Sequence, residues 1–137
     1  MANLKPVYAT ESTLLSTGLN SLANGSGADS SEQDNSSNRY LDARIDVEIA
    51  ASGANTGYVV IYLLEGSATG KTSTSANRAN MRAAGSVQLN GTTTVRQSIL
   101  VRDMPKYWIC RLLNDSGGSL AASGSTVKFT GLNYENV

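Results

Sequence analysis

Histidine is absent from this sequence, and cysteine occurs once, at Cys110. The chain therefore lacks the commonest general base and the commonest metal ligand of proteins. A lone cysteine also excludes an intramolecular disulfide and a cluster of thiolate metal ligands. Because Cys110 lies inside an apolar segment, we interpret it as a buried small side chain rather than a nucleophile. The sequence thus predicts a protein that is not an enzyme, with no catalytic set, no cofactor and no metal site.

Charge of one sign is not in excess, since 11 lysine and arginine residues balance 11 aspartate and glutamate residues. Nucleic-acid binding needs a clustered positive excess, so we expect no nucleic acid as a partner. The longest apolar run has seven residues, far too few to span a bilayer, and residues 1–6 contain no apolar signal sequence. We therefore expect no membrane association, and synthesis in a reducing cytoplasm.

What the sequence does contain is a series of β-strand signals. Residues 58–64 form an unbroken apolar run, and residues 107–113 form a nearly continuous second run. Such runs are typical of strands with both faces covered. In residues 40–49, apolar and charged side chains alternate with a period of two, which predicts one buried and one solvated face. Together with the turn signals between runs, these patterns predict an all-β fold: an antiparallel, jelly-roll-like β-sandwich of seven or eight strands.

Two segments fall outside the strand pattern. Residues 1–10 contain Pro6 and are predicted to form an extended N-terminal arm. Residues 11–137 are then a single β-sandwich domain. Within it, residues 24–38 contain no large apolar side chain and are predicted to be a flexible loop.

Three local signals carry finer predictions. Asn90-Gly91, between two β-forming runs, favours a two-residue hairpin turn. Residues 77–83 suggest a weak helix. Residues 66–72 resemble a phosphate-binding loop, but the spacing between the first glycine and the Gly-Lys pair is one residue too short. We therefore interpret residues 66–72 as a polar loop.

Charged and aromatic side chains offer two further candidate sites, and we interpret both as structural. Asp42, Asp46 and Glu48 share a strand face with Arg44. This mixture is typical of a solvated strand rather than of a catalytic carboxylate pair. Trp108 and the tyrosines of the apolar runs would suit a sugar-stacking platform if they were exposed, but aromatic side chains inside apolar strands more often lie in the core.

Three stretches give the chain a family resemblance: residues 40–49 (YLDARIDVEI), 59–66 (VVIYLLEG) and 125–134 (STVKFTGLNY). In these stretches, and in its polar loops, the sequence resembles the jelly-roll capsid decoration (cementing) proteins of tailed bacteriophages. The resemblance implies a structural virion protein that binds the outside of the capsid lattice and bridges neighbouring major capsid protein subunits. It also implies a homo-oligomer, a dimer or a trimer, on the capsid surface of the virion.

The N-terminal segment supplies the candidate interface. We expect its residues to contact a capsid subunit or a second copy of the chain: Leu4, Lys5, Pro6, Val7 and Tyr8. The alternative function is a carbohydrate-binding or host-adhesion module of a phage tail or fibre, because one fold serves many functions. That alternative requires exposed aromatic side chains in a row or groove, so the exposure of Trp108 distinguishes the two.

Overall fold

Two β-sheets account for most of the chain. The computed structural model describes residues 3–70 and 81–136, which contain ten strands and one short 3-10 turn (Thr17–Leu19). The strands are β1 (Leu4–Tyr8), β2 (Ser12–Leu15), β3 (Gly27–Asp29), β4 (Gln33–Asp34), β5 (Asp42–Ile49), β6 (Tyr58–Gly66), β7 (Met81–Gln88), β8 (Val95–Arg102), β9 (Tyr107–Asp115) and β10 (Thr126–Asn136). Within those ranges, no helix has the length and apolar character needed to cross a bilayer.

Each sheet has five strands, but two short strands share one edge, so each sheet has four strand positions. In sheet A, β1 and β2 pair with different stretches of β10, and the order continues through β5 to β8. In sheet B, β3 and β4 pair with β9, which is followed by β6 and β7. All of these pairs are antiparallel. Counting each divided edge as one position gives eight positions in jelly-roll order, which confirms the predicted all-β sandwich.

The core lies between the two sheets and is built by alternation. On β5, every second residue from Ala43 to Ile49 is buried, and the charged residues between them face the other way. Sheet B contributes its own alternating set to the same core: Val59, Ile61, Leu63, Trp108, Cys110 and Leu112. Trp108 of sheet B meets Phe129 of sheet A edge to face, with ring centroids 5.2 Å apart. The contact joins the two layers of the sandwich.

Buried asparagines hold the loops at one end of the sandwich. Asn55 and Asn114 are 0% exposed. Asn55 Nδ2 donates to Ser116 Oγ and to Gly118 O, both at 2.9 Å, and its Oδ1 accepts from the Ser52 N–H at 2.7 Å. Asn114 Nδ2 also donates to Gly118 O, at 2.9 Å. Because a buried amide without partners costs about 1–3 kcal/mol, this network fixes the conformation of the loops.

The segment 24–38, predicted to be a flexible loop, contributes two strands. Gly27–Asp29 (β3) and Gln33–Asp34 (β4) pair with β9 and form an edge of sheet B. Between them, Ser30 Oγ accepts a hydrogen bond from the Cys110 N–H at 2.9 Å. Strand pairing uses main-chain groups, so a segment without large apolar side chains can still join a sheet. The sequence prediction is corrected in this respect.

The predicted N-terminal arm is also part of the sandwich. The residues of β1, from Leu4 to Tyr8, pair one for one with β10. Across the same pair of strands, Lys5 Nζ lies 2.8 Å from Glu135 Oε1. The segment is extended, but it is the edge strand of a sheet rather than an arm without a local partner.

Two local predictions near β7 are wrong where the structure describes them. β7 lies in sheet B and β8 in sheet A, so the segment with Asn90 and Gly91 crosses between sheets and does not close a hairpin. Of Asn90 and Gly91, only Gly91 has a positive φ (95°), whereas the predicted two-residue turn needs a positive φ at both. Of the predicted helix at 77–83, residues 77–80 lie outside the described ranges, and residues 81–83 begin β7.

Replacing Trp108 with alanine is expected to lower the free energy of unfolding by about 3–5 kcal/mol, the usual cost of deleting a large buried aromatic side chain. The matched control is Tyr58→Ala. Tyr58 is 47% exposed, so its loss should cost less than about 1 kcal/mol. Urea unfolding curves give both values, and equal losses would contradict the placement of Trp108 in the core.

Candidate protein interface

Exposed apolar side chains are concentrated at one end of sheet A. Six large apolar side chains are exposed in the described ranges, and five of them lie on β1, near the end of β10 or directly before β5. We call these five the apolar corner: Leu4 (65% exposed), Val7 (39%), Tyr8 (63%), Leu41 (58%) and Tyr134 (41%). Three of them belong to the predicted interface, and the other two predicted residues, Lys5 and Pro6, are exposed on the same strand.

The strand register places the apolar corner on both sides of the sheet. Leu4, Tyr8 and Tyr134 share the outer side, because directly opposed residues of paired strands point the same way. Val7 lies on the other side. Leu41 was predicted to be buried by alternation, but it precedes the start of β5 and is exposed. Its N–H donates to a carbonyl oxygen of β10 at 3.1 Å, which holds it beside that strand.

The free edge of β1 is interrupted by proline. The Ala9 N–H donates to the Gly131 carbonyl oxygen at 2.9 Å. The alternation of an antiparallel ladder then turns the main-chain groups of Leu4, Pro6 and Tyr8 toward the free edge. Since proline has no N–H, the row of free donors is broken at its middle. Such an edge resists extension by a further strand and favours docking through side chains.

A buried carboxylate positions the ring of Tyr134. The Tyr134 O–H donates to Asp42 Oδ2 at 3.0 Å, and the Asp103 N–H donates to Asp42 Oδ1 at 3.2 Å. The hydrogen bond to Asp42, followed by desolvation, raises the pKa of the Tyr134 phenol. Asp42 was predicted to lie on a solvated face; the structure corrects this, since Asp42 is 8% exposed. The ring is therefore held in place before any partner binds.

The other charged residues of β5 lie on the outer face of sheet A, as predicted. Arg96 Nη2 lies 3.1 Å from Glu48 Oε1, and Lys128 Nζ lies 3.8 Å from Glu11 Oε1. Asp46 is directly opposite Lys128. Exposed ion pairs of this kind contribute little free energy. In the ranges that the structure describes, no group of three His, Cys, Asp or Glu side chains is arranged to hold a metal ion.

The aromatic side chains of the apolar runs do not form one platform. Trp108 is 2% exposed and points into the core, as interpreted from the sequence. Tyr58, Tyr62 and Tyr107 lie on the opposite face of sheet B, where Tyr58 is exposed and the other two are half-buried. Because the largest stacking surface is inaccessible, this arrangement weakens the carbohydrate-binding alternative.

Cys110 is fully buried, which confirms its interpretation as a core side chain. Burial, with a smaller effect from the charge of Asp29, raises the pKa of the Cys110 thiol to about 12. The thiol is therefore expected to stay protonated at neutral pH.

The glycine-rich segment 66–72 is described only in part, because Lys71 and Thr72 lie outside the described ranges. Its Gly70 N–H donates to Glu32 Oε1 at 3.1 Å. A main-chain donor of the segment is thus bonded to a carboxylate of the chain.

No family model and no curated protein matches this sequence. Among solved structures, the chain is similar to the carbohydrate-binding module CBM36 in complex with calcium and xylotriose, with 17% identity over 96% of this chain and 94% of that chain and a TM-score of 0.48. It is also similar to a structure of Bacillus endospore appendages, described as disulfide-linked pili, with 12% identity over 100% of this chain and 91% of that chain and a TM-score of 0.33. Likenesses this distant carry no information about ligand or partner.

Cys110 is expected to resist thiol reagents in the folded protein. At about pH 8 an ordinary thiol is partly ionised and reacts within minutes, whereas the buried Cys110 should release no colour from 5,5′-dithiobis(2-nitrobenzoic acid) until the protein is unfolded. A Ser98→Cys variant, which adds a thiol at an exposed position of β8, should react at once and serves as the control. Rapid reaction of both thiols in the native variant would contradict the buried placement of Cys110.

Proposed function

We propose that this chain is a structural virion protein that binds the outside of a phage capsid lattice and bridges neighbouring major capsid protein subunits. The observation that supports this function best is the apolar corner, where five of the six exposed large apolar side chains of the described ranges are gathered. Single exposed apolar residues are ordinary, but several large ones gathered at one end of a sheet are typical of an interaction surface. The sequence resemblance to capsid decoration proteins supports the choice of partner.

The shape of the apolar corner suits a protein that joins two neighbours. Leu4, Tyr8 and Tyr134 lie on one side of the sheet end, and Val7 lies on the other. A sheet end with apolar groups on both sides fits as a wedge between two subunits, each of which covers one side. The hydrogen bond from Tyr134 to Asp42 fixes one contact ring in advance, which reduces the entropy lost on binding.

The energy available at the corner matches a role in a repeating lattice. Full burial of one large apolar side chain contributes about 1.5–3 kcal/mol, so five side chains that are 39–65% exposed offer on the order of 5 kcal/mol before the costs of association. One such contact is weak. Contacts on two linked subunits act together, because the second forms at a high effective concentration.

A double variant tests the corner. Replacing Leu4 and Tyr8 with aspartate removes two apolar contacts and forces two charges into the interface. We expect at least a tenfold loss of affinity for capsids of the source virus that have been depleted of this protein, measured by co-sedimentation. Because both side chains are exposed, the melting temperature should stay close to that of the unaltered protein.

The matched control replaces two exposed residues of β2, Ser12 and Thr13, with aspartate. This strand pairs with another stretch of β10, so the control adds the same charge elsewhere along β10. Point variants are preferable to deleting β1, because deletion would unpair β10. Equal affinity of the corner variant and the unaltered protein would contradict docking at the corner, and failure of the unaltered protein to bind would contradict the proposed function.

A further inference from the structure

A pocket of about 430 Å³ opens beside the apolar corner. It lies between the segment that leads into β5 and the segment that joins β8 to β9. Six of its lining residues carry the argument: Asn35, Arg39, Tyr40, Leu41, Met104 and Lys106. Leu41 also belongs to the apolar corner, so the pocket and the corner form one continuous surface. A volume of this size suits a side chain or another small group.

A buried amide fixes the wall of the pocket. Asn35 is 7% exposed. Its Nδ2 donates to the carbonyl oxygens of Tyr40 at 3.0 Å and Pro105 at 3.2 Å, and its Oδ1 accepts from the Tyr40 N–H at 2.8 Å. The Met104 N–H donates to the Leu41 carbonyl oxygen at 2.8 Å. Because these bonds tie the two segments together, the pocket is formed before any partner binds.

A glycine in β10 lets the Tyr40 ring form part of this wall. A Cβ atom at Gly131 would overlap the Tyr40 ring, so the ring lies directly against the main chain of β10. Two residues further along the strand, Asn133 Nδ2 donates to the Asn38 carbonyl oxygen at 3.1 Å. Its Oδ1 accepts from the Leu41 N–H at 3.2 Å. The segment that leads into β5 is therefore held by β10 as well as by Asn35.

Two cations at the pocket, Arg39 and Lys106, are exposed. The ion pairs found within residues 3–70 and 81–136 include neither of them. One carboxylate responds to Lys106: hydrogen bonds from Ser36, and to a smaller extent the charge of Lys106, lower the pKa of Asp34. Asp34 Oδ1 accepts from the Ser36 N–H at 2.8 Å, and Arg39 Nε makes only a long bond of 3.4 Å to the Ser36 carbonyl oxygen. Both cations are thus available to an anion.

Arg39 reaches this place from an unfavourable backbone conformation. Its φ is 51°, in the left-handed region that favours glycine and asparagine. The Arg39 N–H donates to the Asn35 carbonyl oxygen at 2.9 Å, which closes the turn. Residues with such strain gather at functional sites. A glycine would form the same turn without strain, so the guanidinium is what arginine adds at this position.

We propose that this pocket accepts an acidic side chain of the capsid subunit that contacts the apolar corner, with Arg39 and Lys106 binding its carboxylate. The inference rests on the proposed function and names the chemistry of the partner at that surface. Leu41 and Met104 cover the apolar part of the segment that carries the carboxylate. A phosphate suits the site less well, because it carries about two charges at neutral pH and is bound by clusters of arginine or main-chain donors.

A peptide probe tests the pocket without a capsid. The probe is acetyl-Leu-Asp-Leu-amide, which presents one carboxylate between two apolar side chains, and the control peptide has asparagine in place of aspartate. We expect the main-chain NMR signals of Arg39, Tyr40 and Lys106 to shift with a dissociation constant of about 1–10 mM. The control peptide should bind roughly fivefold more weakly. Equal binding of both peptides, no shift at these residues, or tighter binding of inorganic phosphate would overturn the proposal.

Two variants carry the test to capsids depleted of this protein. Arg39→Gly removes the guanidinium and the backbone strain, so the melting temperature should stay the same or rise. Affinity in co-sedimentation should nevertheless fall about five- to tenfold, and Lys106→Gln should weaken binding to a similar extent. The matched control is Arg44→Gln, which removes an exposed cation from the outer face of sheet A and should leave the affinity unchanged.

The outcomes separate the two proposals. If the unaltered protein binds capsids and both pocket variants bind them equally well, the pocket proposal is overturned. A lower melting temperature of Arg39→Gly with unchanged affinity would assign Arg39 a structural role and overturn it too. If the unaltered protein binds the acidic peptide at the pocket but does not bind capsids, the proposed function fails and the carboxylate site stands.

Discussion

The packing of sheet A on the inner face of sheet B is the interaction on which the rest of this structure depends. Both sheets supply alternating apolar side chains to one core, and the edge-to-face contact of Trp108 with Phe129 joins the layers. Once these faces are buried, the remaining strand positions must point outward. On sheet A many of them carry charges, whereas on the two central strands of sheet B most of them are apolar. The side chains available for binding are thus those that do not point into the core.

The sequence predicts the central strands well, because their signal is local and periodic. Alternation in residues 40–49 predicts β5, and the apolar runs predict β6 and β9. The edges are harder to predict, because pairing there depends on which main-chain groups a neighbour leaves unpaired. Residues 24–38 have no apolar periodicity, yet two short strands within them pair with β9. The Asn90-Gly91 signal favours a hairpin, but sheet packing sends β7 and β8 to different layers.

The candidate interface is predictable only in part, for the same reason. The exposed apolar residues of β1 are visible in the sequence as a segment without a clear core role. Tyr134 and Asp42 are 92 residues apart, and only the antiparallel pairing of β5 with β10 brings them together. Leu41 continues the alternation of β5 but lies before the strand begins, so its exposure follows from the end of the sheet. A proline-bearing edge, an anchored tyrosine and an exposed leucine become one surface through topology alone.

We propose that the apolar corner contacts a capsid lattice, so that the protein is a repeating component of a virus head. The most direct test is the copy number of this chain in purified particles of the source virus, measured by quantitative mass spectrometry against the major capsid protein. The account predicts a fixed ratio to the major capsid protein, on the scale of the whole lattice. Absence from the particle, or only a handful of copies, would contradict it.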